Sequence, residues 1–387
     1  MMNNKELELY VHIPFCACKC NYCDFLSAPA DETVQKLYMD KLTEEIKVMA
    51  QECVDYEVTT IFIGGGTPSI LKAEWIAEIL HTIYGRIGVS MDAEITIEAN
   101  PGTLTAEKLK RYRQSGINRL SLGLQSADEG ELRELGRIHT FDSFLKSFER
   151  ARQAGFTNIN VDLMSALPGQ TAASWKNTLK KTAMLKPEHI SAYSLIIEEG
   201  TPFYQWYGNQ EPGHPPLPSE DEEREMYYMT KDFLEESGYR RYEISNYARP
   251  GFECRHNVGY WTGVPYLGLG LGASSYMTDR RFRNEPDLKR YLSLNLEAPN
   301  YGGLRTEEEI LHVQSRMEEF MFLGLRLSCG VSVREFVERF GRNIHEIYGD
   351  VIMRMEEEEL LTSREGRIML TDRGVDVSNY VMSKFLI

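Results

Sequence analysis

The chain has 387 residues, 42% of them hydrophobic, which suits one large domain plus a small one and argues against disorder. Its formal net charge of -15 argues against a nucleic-acid binder, which would present a basic face. No apolar run approaches the roughly 20 residues of a membrane span, Met1 to Leu9 does not read as a signal peptide, and seven cysteines fit a reducing cytoplasm better than a disulfide framework. Residues 8–12 (ELYVH) predict the first strand. Directly after it come Cys16, Cys20 and Cys23, at the spacing C-x3-C-x2-C. Clustered thiolates suit zinc or iron–sulfur chemistry. Three ligands leave a closed structural zinc site one short. A [4Fe–4S] cluster held by three cysteines keeps one iron open, where a metal centre can act on a ligand. The competing reading is a structural zinc completed by His12 or Cys18, although no later C-x2-C pair matches it. Cys53, Cys254 and Cys329 read as small buried side chains.

Further strands are predicted at 59–63, 94–98, 119–124, 158–163 and 188–195, alternating with helices at 32–52, 73–85, 105–115, 141–154 and 171–185. This alternation predicts βα units and a parallel sheet. Right-handed crossovers would curl six such units into an open, incomplete barrel. Periodicity alone does not separate that barrel from a doubly wound sheet. Parallel barrels place their chemistry at the C-terminal strand ends. There the sequence has Gly64-Gly65-Gly66-Thr67-Pro68 after the second strand, Glu98 ending the third, Gln125 after the fourth and Asp162 near the end of the fifth. A glycine run lets a ligand approach the backbone, or simply makes a tight turn. Glu98, Gln125, Arg137 and Asp162 would each pass as ordinary solvated or capping groups. As a set they converge on one mouth, where Asp162 could accept ribose hydroxyls and Arg137 could grip a carboxylate with two bonds.

Residues 208–223, rich in Pro, Gly and acids, predict a loop or hinge, followed by a helix at 220–237. From 304 the pattern turns helical. An amphipathic helix is predicted over 306–327, a short one capped by Ser332, a longer one over 343–361, a hairpin turning at Gly366, and a last helix from about 372. This order resembles a winged helix. Glu356 to Glu359 on the longer helix would repel phosphate, so a packing or protein-interaction module is expected rather than a DNA reader.

The cysteine spacing, with Tyr22 before the last cysteine, resembles the radical S-adenosylmethionine enzymes. That resemblance implies that the methionine end of the nucleotide chelates the open iron. An electron from the cluster then cleaves the sulfonium to a deoxyadenosyl radical. The segment from Tyr10 to Cys16, the GGGTPS run from Gly64, Glu98-Ala99-Asn100-Pro101, Ser121 to Ser126, Gly136-Arg137-Ile138-His139 and Leu167 to Thr171 are similar to the coproporphyrinogen dehydrogenase and HemW group within that family. The similarity covers nearly the whole chain and favours the incomplete (β/α)6 barrel. It implies a core domain at 1–240, a connecting segment at 241–303 and a smaller, mostly helical, winged-helix-like domain at 304–387. By the same resemblance Cys16, Cys20 and Cys23 hold the cluster, and Tyr10, Tyr22, Gly65, Gly66, Thr67, Glu98, Gln125, Arg137 and Asp162 line the S-adenosylmethionine site.

Two features separate the branches of the group. The dehydrogenase branch has a fourth cysteine two residues past the third, where this chain has Phe25 after Asp24. His256-Asn257-Val258-Gly259-Tyr260-Trp261 matches the H-N-x-x-Y-W motif of the HemW branch, which resembles haem chaperones that hand haem to acceptor proteins. His256, beside two aromatic rings, is the expected axial haem ligand. The other reading is a histidine that hydrogen-bonds locally and shapes the site. Many relatives have a histidine in a G-A-H form where this chain reads Gly272-Ala273-Ser274-Ser275. The resemblance thus implies a cytoplasmic haem chaperone with a cluster, S-adenosylmethionine and haem. Its partner would be an acceptor protein, a membrane-associated one included, and not nucleic acid. The alternatives are an oxygen-independent coproporphyrinogen III dehydrogenase, converting propionates to vinyls, and a winged-helix regulator with a redox cluster.

Overall fold

Six runs rich in aliphatic and β-branched residues form parallel strands in the order of the chain: β1 (Lys5–Ile13), β2 (Tyr56–Gly65), β3 (Val89–Ala99), β4 (Arg119–Gln125), β5 (Ile159–Ser165) and β6 (His189–Ser194). These are the strands predicted from the sequence. The structure, a computed structural model, describes residues 5–209 and 211–386; Met1 to Asn4, Gln210 in the predicted loop and Ile387 lie outside the described residues. Helices Glu32–Met49, Ala73–Arg86, Ala106–Gln114, Phe141–Gln153 and Ala172–Met184 fill the crossovers. Their starts are set locally. Thr140 with Ser143 and Thr171 with Ser174 form capping boxes that satisfy two orphan N–H groups each.

Each strand alternates with a period of two. On β1, Leu7, Leu9, Val11 and Ile13 are fully buried in the main core, while Glu8, Tyr10 and His12 take the opposite face. The same alternation puts Thr60, Thr96, Arg119, Ser121 and Asn160 on the inner face of β2 to β5, all nearly inaccessible. The interior of the barrel is therefore polar, and the aliphatic face packs outward against the helices. Each fully buried Leu or Ile on that face contributes about 1.5–3 kcal/mol.

The barrel does not close. β1 pairs on its free side with Tyr266–Leu269, parallel to it, and the sheet continues through antiparallel strands Ser274–Met277, Arg280–Asn284 and Arg305–Ile310. Beyond β6 come Asn246–Ala248 and Arg240–Arg241, making twelve strands in one open sheet among the described residues. One expectation needs correction here. The helix predicted from 306 begins at Val313, because Arg305–Ile310 is an edge strand. Its run Thr306-Glu307-Glu308-Glu309 suits a helix locally but sits half-exposed or exposed on the sheet edge, where charges discourage further strand pairing.

A second buried cluster, from Met317 to Phe385, lies under helices Val313–Gly324, Val333–Phe340 and Ile344–Glu357. The predicted hairpin is present as Leu361–Arg364 and Arg367–Leu370, turning at Gly366 with a φ of 72° that glycine adopts freely. The Ser332 hydroxyl accepts from the Glu335 N–H at 3.2 Å, the expected cap.

Candidate functional site

The loop after β1 folds back across the end of β2. The Gly66 N–H donates to the Ile13 carbonyl (2.8 Å) and the Thr67 N–H to the Phe15 carbonyl (2.7 Å). The fit is close enough that a Cβ on Gly66 would lie 2.5 Å from the Phe15 carbonyl oxygen. Gly65, at a φ of 111°, gives its N–H to Glu98 Oε2 (3.0 Å). With these three N–H groups engaged, the backbone of the glycine segment has only carbonyl oxygens to offer a ligand, and these suit an ammonium group.

Cys16, Cys20, Tyr22 and Cys23 share one cavity of 350 Å³ with Gly65, Gly66, Thr67, Glu98, Gln125, Arg137 and Asp162. Residues from the ends of β2, β3, β4 and β5 thus meet the cysteine loop that follows β1, as the parallel arrangement demands. Tyr10 stands apart. Its hydroxyl meets His12 Nδ1 (3.0 Å), and it borders a second cavity. Among the described residues, no three His, Cys, Asp or Glu side chains converge closely enough to hold a single metal ion. Four free cysteines border this cavity, and three of them, Cys16, Cys20 and Cys23, fit a cluster that takes one thiolate on each of three irons. Burial raises the Cys16 and Cys23 pKa values, so these thiols stay protonated until a metal binds. Cys18 is exposed and bonds only the Lys19 carbonyl. Of the other cysteines, Cys53 and Cys254 are buried as expected, but Cys329 is exposed.

Arg137 takes a different task from the one predicted. Its fork is occupied by the chain itself: Nη2 donates to Asn100 Oδ1 (2.9 Å) and the Gly123 carbonyl (2.7 Å), and Nη1 lies 3.7 Å from Cys20 Sγ. It ties the cysteine loop to β4. Behind it, burial and the Arg137 charge push His139 down to about 3, so that ring is neutral, with Nε2 3.2 Å from the Leu124 carbonyl. Asp162 accepts from Asn160 Nδ2 (2.7 Å) and Ser121 Oγ (3.1 Å). Burial and the Asp162 charge push Glu98 up to about 8, so it carries its proton at neutral pH. Gln125 has a φ of 68°, where the β4–β5 register slips, and its Oε1 accepts from the Tyr193 hydroxyl (3.0 Å). A non-glycine residue held there stores strain of the kind found at ligand sites.

The helix Arg255–Thr262 carries the H-N-x-x-Y-W motif between two cavities. Asn257 lines the cavity of the cysteines. Tyr260 and Trp261, three and four positions on, line a larger one of 780 Å³. Phe25, 61% exposed, lines both. His256 lines neither. It is 1% exposed, with Nδ1 2.6 Å from Thr60 Oγ1 and Nε2 3.0 Å from the Tyr260 hydroxyl. Burial, with Arg119 behind it, pushes its pKa down to about 3. Neither ring nitrogen is open to an iron, which corrects the expected axial ligand and leaves the reading in which this histidine shapes the site.

Several cavity residues escaped the sequence reading. Arg119, Ser121 and Asn160 line the cysteine cavity, and Arg281 and Arg283 the larger one. Their signal was present as alternation: a polar residue at every second position of a strand, as in Arg119-Leu120-Ser121-Leu122 and Arg281-Phe282-Arg283.

The chain is similar to known proteins over nearly its whole length. Residues 10–182 match the Radical SAM superfamily and residues 311–377 the HemN C-terminal domain. The chain is 39% identical over 386 residues to heme chaperone HemW of Lactococcus lactis, covering 100% of this chain and 99% of the relative. It is 38% identical to heme chaperone HemW of Bacillus subtilis, covering 97% and 98%. Among solved structures, coproporphyrinogen III oxidase (HemN) from Escherichia coli superposes with a TM-score of 0.84 over 99% of this chain and 90% of that chain. At 24% identity, that similarity concerns the fold.

Proposed function

We propose that this chain, which belongs to the heme chaperone HemW family of radical SAM proteins, binds haem and delivers it to an acceptor protein. Membership of the superfamily implies a [4Fe–4S] cluster and S-adenosylmethionine. Cys16, Cys20 and Cys23 would hold the cluster, and Tyr22, Gly65, Gly66, Thr67, Glu98, Gln125 and Asp162 would surround the nucleotide. When bound, the cluster supplies one-electron chemistry at its open iron. The chain's own part is to orient and shield. Arg137 holds the loop that carries Cys20, protonated Glu98 places a neutral group beside the glycine segment, and the polar barrel interior fixes Asp162.

The observation that carries the haem reading is the placement of one motif on two cavities. Asn257 borders the cysteine cavity, and Tyr260 and Trp261 border an aromatic chamber large enough for a macrocycle. Among the described residues no helix is long and apolar enough to cross a membrane. In this reading the protein works in the cytoplasm, its C-terminal unit begins after the edge strand that ends at Ile310, and its acceptor includes membrane-associated proteins. The test is an anaerobic haem titration of cluster-reconstituted protein followed by its Soret band, then transfer to an apo-acceptor. Saturable binding and transfer support the reading, and no specific binding sinks it.

The dehydrogenase reading has one observation in its favour: the residues needed for radical formation gather in one cavity. Phe25 counts against it, since it stands where that branch has a fourth cysteine. Anaerobic conversion of coproporphyrinogen III to protoporphyrinogen by cluster-loaded protein would establish it.

A further inference from the structure

We propose that the 780 Å³ cavity is the tetrapyrrole site, and that Arg283 anchors a propionate there while no histidine ligates the iron. This rests on the haem-chaperone reading above and deepens it. The cavity lies between the sheet edge at 274–284 and the helices at 313–340. Its volume is within the ~300–1,000 Å³ typical of ligand sites. Phe25, Tyr260, Trp261, Tyr266, Phe320 and Phe340 bring aromatic faces to its walls.

Charge singles it out. In a chain of net charge -15, this cavity is lined by five arginines and three carboxylates. Four of the arginines are already engaged. Arg281 pairs with Glu319 (2.8 Å), Arg316 with Asp279, and Arg339 with Glu335 (2.6 Å). Arg367 donates to the carbonyls of Cys329 and Gly330, both at 2.7 Å. Arg283 has no carboxylate partner among the described residues. Its Nε reaches only the Gly272 carbonyl at 3.2 Å, and both terminal nitrogens stay open. Its direction is set by the strand Arg280–Asn284. Phe282 and Asn284 take the buried face, at 4% and 1% exposure, so Arg283 takes the cavity face. A half-buried guanidinium held by a sheet, with no counter-charge, is a site for an anion that accepts two parallel hydrogen bonds.

A planar apolar ring carrying carboxylates fits the aromatic walls and the uncompensated charge of Arg283. Axial ligation by histidine does not fit. Among the described residues, the only histidine lining the cavity is His12, and both its nitrogens are engaged, by the Tyr10 hydroxyl (3.0 Å) and the Leu26 carbonyl (2.9 Å). Recognition by the propionates and the ring faces needs no iron, so iron-free protoporphyrin IX should bind about as well as haem.

The experiment compares haem, haem dimethyl ester and protoporphyrin IX on wild type, Arg283→Ala and Arg283→Lys, with S-adenosylmethionine binding by the reconstituted proteins as the check on folding. Wild type is expected to bind the diester roughly tenfold or more weakly than haem. Arg283→Ala should weaken haem by a similar factor, leave the diester unchanged and keep S-adenosylmethionine binding, with Arg283→Lys in between. Haem binding that ignores Arg283, a diester that Arg283→Ala weakens as much as haem, or protoporphyrin IX that fails to bind while haem does, each overturns this site and leaves the chaperone reading standing. A wild type that binds no tetrapyrrole overturns both.

Discussion

Thr60 Oγ1 on β2 lies 2.6 Å from Nδ1 of His256, and this buried contact fastens the helix Arg255–Thr262 to the barrel wall. The imidazole also stacks on Phe62, with ring centroids 5.2 Å apart. His256→Ala removes that packing and leaves the Thr60 and Tyr260 hydroxyls short of a partner. The expected loss is about 3 kcal/mol in urea unfolding. Haem affinity should stay within about threefold of wild type, well under the change produced by losing an iron ligand. Soret binding lost at unchanged stability would return His256 to the haem site.

Glu8 is 2% exposed, and burial pushes its carboxyl up to about 9, against the pull of the Thr60 hydroxyl. Its Oε2 lies 3.7 Å from His256 Nδ1, but both groups are neutral, so the contact is not an ion pair. The folded chain holds this proton between the ordinary carboxyl value of 4.5 and about 9, while the unfolded chain releases it. Stability from this group is therefore full below 4.5 and falls as pH rises toward about 9. Glu8→Gln, which never ionises, should exceed wild type in urea midpoint by a margin that opens as pH rises through that window. A constant margin would show that Glu8 is already ionised in the folded protein.

A Cβ on Gly259 would fall 1.9 Å from Glu8 Oε1, and Glu8 is buried too deeply to swing aside. Gly259→Ala must push the motif helix off β1, at a cost of about 3 kcal/mol. Glu8→Ala in the same chain should recover part of that loss. Calorimetry on the two single variants and the double variant checks this, and strict additivity would place the strain elsewhere.

Arg137 braces the cysteine loop through Asn100, the Gly123 carbonyl and the edge of Cys20. A lysine in its place has one point of attachment instead of a fork. Arg137→Lys is expected to load iron and sulfide yet release them several-fold faster to a chelator, with rates read from visible absorbance. Equal release would mean that the loop holds itself.

Alanine at Cys16, Cys20 or Cys23 should abolish cluster loading, whereas Cys18→Ala, at an exposed thiol, should load normally. Iron and sulfide counts decide. Loss of iron in Cys18→Ala would bring back a four-thiol site.

The barrel was legible in the amino-acid order because its causes are local. Period-two strands, capped helices and strand-end residues such as Glu98 and Asp162 declare themselves within short windows, and parallel strands then carry those ends to one mouth. The cysteine triad and Gly64 to Pro68 were legible for the same reason. What stayed hidden depends on partners distant in the chain. Thr306 to Ile310 reads as a helix until Arg280–Asn284 offers it an edge. His256 reads as a ligand until Thr60, 196 residues away, takes its Nδ1. Arg137 reads as a substrate clamp until Asn100 and Gly123 occupy its fork. Arg283 is one arginine among many until the C-terminal helices close over the sheet edge and pair the others. Sequence determined which elements form and which chemistry the strand ends carry. Only the tertiary structure decided which polar atoms remain free, because a hydrogen-bonding group is open to a ligand only where no distant neighbour has already satisfied it.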